Sequence, residues 1–191
     1  DLVKPVGSLY MESMFFDKKK EIKKKFDIAI LGINTSNAIE RLDSYDKFID
    51  DSYAIYRWAA KLSLQNPEYN IVVIHHASAG EDLLHDEILK NSNIKVLDQN
   101  INSYEIAFSS KLALTYGSTM GYELNAHDLP TFFIDPGFRC IFLPEKGLDY
   151  VDSIRVDTYD KFSFLINELL EKGKITNSLV KINSNKLCLN S

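Results

Sequence analysis

A Gly-Ser-Thr turn between two apolar segments is the first place in this sequence where residue types and spacing could do chemistry. Gly117, Ser118 and Thr119 follow the apolar run LALTY, and Glu123 comes five residues after Ser118. Glycine lets the backbone approach a ligand, and the free N–H groups at a helix N-terminus attract phosphate. The spacing therefore fits a phosphate site with Glu123 placed to accept from ribose hydroxyls. It fits equally well a Ser or Thr that caps a helix with an exposed Glu, so both interpretations stay open here.

Two adjacent histidines, His75 and His76, end the apolar run NIVVI and form the second candidate group. Adjacent strand residues point to opposite faces, so one of the two is expected to face a cleft. A histidine there can hydrogen-bond a phosphate or a leaving-group oxygen. The alternative is a half-buried structural histidine. His85 and His127 fall within predicted helices and are predicted to lie on the surface.

Apolar, β-branched runs alternate along the chain with segments of helical periodicity. The predicted strands are 27–33, 70–76, 94–98, 112–116, 130–135 and 153–157. The predicted helices are 80–93, 103–110, 118–128 and 159–173, together with one that runs from a cap at Ser44 to a stop at Asn66-Pro67. This alternation predicts an α/β, Rossmann-like three-layer sandwich with a mainly parallel sheet.

Ligands of such sheets bind at the carboxyl ends of the strands, where the topology switches. Polar residues follow most of the predicted strands. Besides the turn and the histidines, the candidates include the loop after the first strand, namely Asn34, Thr35 and Ser36. The segment Asp135-Pro136-Gly137 belongs to the same predicted rim.

Composition excludes several classes of protein. The 191 residues are 45% hydrophobic and carry a net charge of −5, which fits a globular domain and argues against a nucleic-acid partner. Cys140 and Cys188 show no metal or disulfide spacing, which is typical of a reducing, cytoplasmic protein. We find no zinc-type spacing, no dinucleotide or Walker A glycine motif and no nucleophile elbow, so no metal and no cofactor are predicted.

The basic run DKKKEIKKKF (17–26) can be read in two ways. It is either the solvated face of a helix leading into the first strand or a surface that touches an anionic membrane. We divide the chain into a linker or leading helix from an absent N-terminal domain (1–26), a Rossmann-like domain (27–175), for which the resemblance described next implies nucleotide-sugar binding, and a C-terminal tail (176–191).

Several of these motifs together resemble the C-terminal domain of GT-B glycosyltransferases. The closest group makes bacterial surface carbohydrates, including capsule, Kdo and sialyltransferases that use CMP-activated sugars. That group carries a His-Pro motif after a strand and a Ser-Ser or Ser-Thr motif before a helix. Here these would be His76 in VVIHHAS and Ser118-Thr119 in TYGSTMGYEL; GYELNAHDLPTFFIDPG and PVGSLYME (5–12) also resemble family passages. Ala77 stands where the family has Pro, so His75 is a rival to His76.

The resemblance implies a donor-binding domain that transfers a sugar from a nucleotide-activated donor, a CMP-sugar being favoured, to a carbohydrate acceptor. Ser118, Thr119 and the helix amides would hold the phosphate, Glu123 the ribose, and His76 would steady charge on the departing phosphate. Asn34, Thr35 and Ser36 would touch phosphate or sugar. The general base would come from the absent N-terminal domain, so this chain alone is expected to bind nucleotide without turnover. The expected location is the cytoplasm, with contact to the inner membrane in one interpretation.

Two other functions stay open. UDP-sugar 2-epimerases, of the UDP-GlcNAc type, share the architecture and would place acidic and histidine residues around the sugar. A non-catalytic Rossmann-like interaction module would use the Gly117-Ser118-Thr119 turn only as a helix cap. Nucleotide affinity separates the module from the two enzymes, and the identity of the bound nucleotide separates the enzymes from each other.

Overall fold

The computed structural model describes residues 22–33, 45–76, 83–97, 101–140, 143 and 154–172. The strands in these ranges are β1 (Phe26–Leu31), β2 (Ile71–Ile74), β3 (Lys95–Leu97), β4 (Ser110–Thr115), β5 (Thr131–Ile134) and β6 (Arg155–Val156). The helices are α1 (Tyr45–Gln65), α2 (Leu83–Leu89), α3 (Ser103–Phe108), α4 (Met120–Ala126) and α5 (Tyr159–Lys172).

The six strands form one parallel sheet in the order β3-β2-β1-β4-β5-β6. β1 and β4 are its central pair, with Ile30 opposite Leu114. On its other side β1 pairs with β2, with Ile30 opposite Val73. This is the strand order of doubly wound, Rossmann-like folds, so the predicted α/β fold is confirmed.

Helices cover both faces of the sheet and make the three layers. Ile55 of α1, Leu89 of α2 and Phe162 of α5 belong to the core on one face. Phe108 of α3 and Leu124 of α4 belong to the core on the opposite face. Strands that are buried on both faces bury successive side chains, which explains why β1 and β2 read as nearly continuous apolar runs.

Local sequence explains where two of the helices form. The buried residues Ile55, Ala59 and Leu62 recur at helical spacing along α1, which ends at Gln65 just before Pro67. At the start of α3 the Asn102 side chain accepts hydrogen bonds from two backbone N–H groups of the first turn. Asparagine is a strong N-cap residue, so this short helix has a defined start.

Two predicted boundaries differ from the structure. β1 ends at Leu31, two residues earlier than predicted, and the N–H of Gly32 makes the last hydrogen bond of the β1–β2 pairing, to the carbonyl of Ile74. Helix α4 begins at Met120 and ends at Ala126, so it is shorter at both ends than the predicted 118–128. Asp128 has a φ of 62°, the left-handed conformation that commonly follows a helix end.

The chain enters the sheet without a helix immediately before β1. Residues 22–25 are irregular, and the N–H groups of Lys25 and Phe26 both donate to the carbonyl of Ser109. The rest of segment 1–26 and all of the predicted tail, 176–191, lie outside the described residues. The proposed division into domains stays a prediction.

Candidate functional site

The carboxyl ends of β1 and β4 meet where the strand order reverses. From β1 the chain moves outward through β2 and β3, and then crosses to β4 and moves outward through β5 and β6 on the other side. β1 and β4 are thus neighbours, and the strands that follow each of them lie on opposite sides of the pair. Open α/β sheets bind their ligands at the carboxyl ends of the strands at such a switch point, so the candidate site is placed there.

Gly32 brings the end of β1 against the end of β2. Its N–H donates to the carbonyl of Ile74 at 2.8 Å. A Cβ on this residue would lie 2.5 Å from that oxygen and 2.8 Å from the backbone N of His76, closer than real contacts allow. Glycine is therefore required for the end of β1 to lie this close to the end of β2 and to the backbone of the two histidines. The predicted residues of that loop lie outside the described residues: Asn34, Thr35 and Ser36.

The predicted phosphate turn, Gly117-Ser118-Thr119, follows β4 after one residue, Tyr116, and β4 is the neighbour of β1 in the sheet. The N–H of Ser118 donates to Thr115 Oγ1 at 3.1 Å, and the N–H of Gly121 donates to the Ser118 carbonyl at 3.0 Å. Thr119 occupies the N-cap position of α4, but its side chain makes no capping hydrogen bond. The exposed Thr119 hydroxyl is thus not used as a helix cap, while a phosphate role for the turn stays a prediction.

Helix α4 lies unusually close to the sheet. A Cβ on Gly121 would come within 2.7 Å of the Phe133 ring of β5 and 3.0 Å of Thr115 Cγ2 of β4. Any larger residue would push the first turn of α4 away from the strands. The glycine therefore sets the height of the turn above the ends of β4 and β5.

Glu123 is oriented by a neighbouring helix. Because α4 begins at Met120, Glu123 lies in the first turn of the helix and not in the second turn that the sequence predicted. Its half-buried carboxylate accepts a hydrogen bond from the hydroxyl of Tyr104 in α3. This bond links the two helices on one face of the sheet. Recognition of a ribose by Glu123 stays a prediction.

His75 and His76 differ in exposure, as expected for adjacent residues at a strand end. His75 is half-buried and its ring lies 5.2 Å from the ring of His85, whereas His76 is exposed at the carboxyl edge. The catalytic role predicted for His76, and the rival role of His75, stay predictions.

The predicted surface position of His85 is wrong. Its side chain is 2% exposed and packs edge-on against Tyr56 of α1, with ring centroids 4.6 Å apart. The Nδ1 atom lies 3.1 Å from a carboxylate oxygen of Asp86. The helical period alone did not reveal that α2 packs against α1 and turns this face inward. His127 is exposed, as predicted.

A largely buried group of charged residues, of which only Asp135 belongs to the predicted rim, lies beside the turn. Asp135 follows β5, Arg155 begins β6, Asp51 lies in α1, and Arg139 lies in the loop after β5. We call these four residues the charged cluster. The carboxylates and Arg155 are buried, and Arg139 is exposed.

Asp135 organises the loop that follows β5. Its Oδ1 atom accepts from the N–H groups of Arg139 at 2.9 Å and Cys140 at 3.1 Å, and its Oδ2 lies 3.3 Å from Arg155 Nε. Burial raises the pKa of Asp135. The two N–H groups and the Arg155 charge lower that pKa, but the effect of burial is larger. The loop is therefore folded back around a carboxylate that is costly to ionise.

Asp51 and Arg139 form the second ion pair of the cluster. Arg139 Nε lies 2.5 Å from Asp51 Oδ2, and the Asp51 side chain is 6% exposed against 40% for Arg139. Asp51 raises the pKa of the Arg139 guanidinium above its ordinary value. A Cβ on Gly137 would lie 2.0 Å from Asp51 Oδ2 and 2.3 Å from Arg139 Nη2. The absence of a side chain at this position thus makes room for the pair.

Tyr116 connects the charged cluster to the turn. It directly precedes Gly117, its carbonyl accepts from the Cys140 thiol at 2.8 Å, and its ring packs edge-on against Phe48 of α1. Its hydroxyl is buried and has no hydrogen-bond partner in the described part of the chain. Burial, together with the nearby Cys140 and carboxylates, raises the pKa of the phenol.

The sequence contained only part of the signal for this cluster. Asp135 was placed in the predicted rim, because it follows a strand. Arg139 and Asp51 belong to none of the motifs that the sequence offers. Their partners are remote in sequence, so only the tertiary structure brings them together.

Within the described ranges, no three His, Cys, Asp or Glu side chains are grouped so that they could hold a metal ion. None of the helices described is both long and apolar enough to cross a membrane. A scan against models of known protein families finds no match to this chain, and a search of curated proteins finds none either.

Proposed function

We propose that this chain is the donor-binding domain of a glycosyltransferase of bacterial surface-polysaccharide synthesis, with a CMP-sugar as the favoured donor. One observation carries the proposal: the Gly117-Ser118-Thr119 turn lies at the carboxyl end of β4, where the strand order reverses. Nucleotides bind at this point of open parallel sheets. The resemblance of the motifs to GT-B enzymes supplies the reaction class.

The proposed roles follow from chemistry and position. Ser118, Thr119 and the backbone amides of the turn hold the phosphate, because hydroxyls and free N–H groups are good phosphate donors. Glu123, oriented by Tyr104, accepts from the ribose hydroxyls. His76, exposed at the same edge, stabilises charge on the departing phosphate, an effect worth on the order of 3 kcal/mol in a dry site.

A second domain completes the enzyme in this proposal. The GT-B resemblance assigns the general base and the carbohydrate acceptor to an N-terminal Rossmann-like domain, which is thus the main protein partner. The enzyme would act in the cytoplasm at the inner membrane. The basic run 17–26 supports that location, since Lys23 and Lys25 are exposed and cations are attracted to anionic lipid.

A thermal-shift screen against CMP, CDP, UDP, GDP and ADP tests the proposal. A ligand at about 100 times its dissociation constant stabilises a protein by about 2.7 kcal/mol, which is readily measured. We expect the largest shift with a cytidine nucleotide, and its loss in the Ser118→Ala/Thr119→Ala double variant. Ser92→Ala, far from the turn at the end of α2, is the matched control and should keep the shift.

The other outcomes point to the alternative functions. A shift confined to UDP would favour the epimerase. The absence of a shift with all five nucleotides would overturn the proposal in favour of an interaction module.

A further inference from the structure

A guanidinium that has none of the roles proposed above, that of Arg139, belongs to the loop that contacts the residue before the proposed phosphate turn. Arg139 follows β5, the neighbour of β4 in the sheet, and the next residue, Cys140, donates its thiol to the carbonyl of Tyr116. Tyr116 in turn directly precedes Gly117. Arg139 is thus carried by a loop that is hydrogen-bonded to the strand end bearing the turn.

The charged cluster fixes the position of Arg139 and leaves some of its guanidinium donors available to a ligand. Asp135 accepts from its backbone N–H, and Asp51 pairs with the Nε edge of the guanidinium. A guanidinium has five N–H donors in a planar fork, so one ion pair leaves donors for a second acceptor. The side chain is 40% exposed, while the Asp51 carboxylate is only 6% exposed. An anion that approaches from solvent therefore contacts the exposed Arg139 guanidinium and not the buried Asp51 carboxylate.

We propose that Arg139 is a second phosphate-recognition group of this site, and that Asp51 is an internal counter-ion that positions the guanidinium and competes with the ligand for it. This inference rests on the proposed function, because the ligand is the phosphate of the nucleotide. In the free protein Asp51 compensates the charge of Arg139. In the complex the nucleotide phosphate and Asp51 both contact the guanidinium.

A competing Asp51 and a purely structural Asp51 predict opposite changes in phosphate affinity when the Asp51 charge is removed. If Asp51 competes with phosphate, removing its charge in Asp51→Asn strengthens phosphate binding, while the amide oxygen keeps an acceptor facing Arg139. If the pair only holds the loop, Asp51→Asn and Arg139→Gln weaken binding alike. The two interpretations thus predict opposite effects of one substitution.

The experiment is calorimetric titration of the chain with CMP and with cytidine, and with UMP and uridine as the second pair. For Arg139→Gln we expect CMP affinity to fall about tenfold while cytidine affinity is unchanged, since one charge-assisted contact to phosphate is lost. For Asp51→Asn we expect CMP affinity to rise severalfold and to become more sensitive to salt.

Two further proteins keep the test independent of folding. The Asp51→Asn/Arg139→Gln double variant leaves no unpaired charge, so it should fold like the wild type and bind CMP as weakly as Arg139→Gln. Arg57→Gln is the matched control, because Arg57 is 41% exposed and pairs with Asp50 at 2.7 Å on the same helix. It lies six residues beyond Asp51 in α1, about 9 Å along the helix axis, and should leave CMP affinity unchanged.

The outcomes distinguish this inference from the proposed function. A wild-type chain that binds neither CMP nor UMP overturns both. Wild-type binding of CMP that is lost in Ser118→Ala/Thr119→Ala but kept in Arg139→Gln overturns only the role of Arg139. Weaker CMP binding in Asp51→Asn shows that the pair merely holds the loop, and likewise overturns the inference.

Discussion

The hydroxyl of Tyr116 is a buried polar group without a hydrogen-bond partner in the described part of the chain. An unsatisfied buried donor costs about 1–3 kcal/mol, so its removal should not destabilise the protein. We expect Tyr116→Phe to leave the free energy of unfolding unchanged or to raise it by up to about 1 kcal/mol, measured by urea denaturation.

Tyr56→Phe is the matched control for this prediction. The Tyr56 side chain is also buried, but its hydroxyl accepts from the N–H of Ile33 at 3.2 Å. We expect a loss of about 1 kcal/mol there. If Tyr116→Phe loses more than about 1 kcal/mol, the Tyr116 hydroxyl has an acceptor in the folded protein.

The buried ion pair of Asp135 and Arg155 should be sensitive to the loss of its cation. Arg155→Met leaves the fully buried Asp135 carboxylate without its counter-charge, and breaking a buried pair costs roughly 3–5 kcal/mol. Arg57→Met removes an exposed arginine and should cost less than about 1 kcal/mol. Chemical denaturation at pH 7 compares the two variants.

The pH dependence provides a second readout for the same pair. Burial already raises the pKa of Asp135, and loss of the Arg155 charge, which lowers it, should raise it further. A carboxyl with a raised folded-state pKa favours folding when protonated, so its contribution is present below the unfolded pKa and is lost as pH rises through the folded pKa. The deficit of Arg155→Met relative to wild type should therefore shrink toward pH 4. A deficit independent of pH would exclude Asp135 as its cause.

At the scale of elements, the close approach of α4 to the sheet depends on Gly121. Alanine would gain about 1 kcal/mol in helix propensity, but its Cβ would lie 2.7 Å from the fully buried Phe133 ring. Overpacking of a rigid core costs roughly 1–3 kcal/mol. We expect Gly121→Ala to lower the free energy of unfolding by about 1 kcal/mol and to weaken nucleotide binding, because the turn is displaced.

A second-site change tests the cause of that loss. Phe133→Leu removes the ring atoms that the new Cβ would meet, so Gly121→Ala should be less destabilising in the Phe133→Leu background than in the wild type. Equal costs in both backgrounds would mean that the clash is relieved elsewhere and that Gly121 does not set the height of the turn.

At the scale of the whole molecule, the prediction concerns binding without turnover. The described residues form one three-layer unit, and the GT-B resemblance assigns the general base to another domain. We expect this chain by itself to bind CMP but to release no CMP from a CMP-sugar in the presence of an oligosaccharide acceptor, above the rate without protein. Sustained sugar transfer by this chain alone would contradict the assignment.

The fold was predictable because its signals are local. Apolar β-branched runs such as DIAIL and NIVVI must be buried on both faces, and their alternation with helical segments leaves few arrangements other than a covered parallel sheet. The boundaries were less predictable. β1 ends two residues earlier than predicted, and α4 ends at Ala126, two residues before the left-handed Asp128; the apolar pattern marks neither position.

The candidate site was predictable only in part. The Gly117-Ser118-Thr119 turn and the two histidines stand at strand ends, and strand ends can be read from the sequence. The partner of Glu123 and the burial of His85 depend on how helices pack against each other, which the helical period does not specify.

The sequence by itself thus determined the layers, the strand candidates and the edge of the sheet at which polar residues gather, because each follows from the hydrophobic pattern within a short segment. Only the tertiary structure decided the strand order, which places β1 beside β4. It also decided the charged cluster, in which Asp51 meets Arg139 and Asp135 meets Arg155. Such pairs join residues from different elements, and their attraction depends on distance and burial, neither of which is written in the order of residues along a chain.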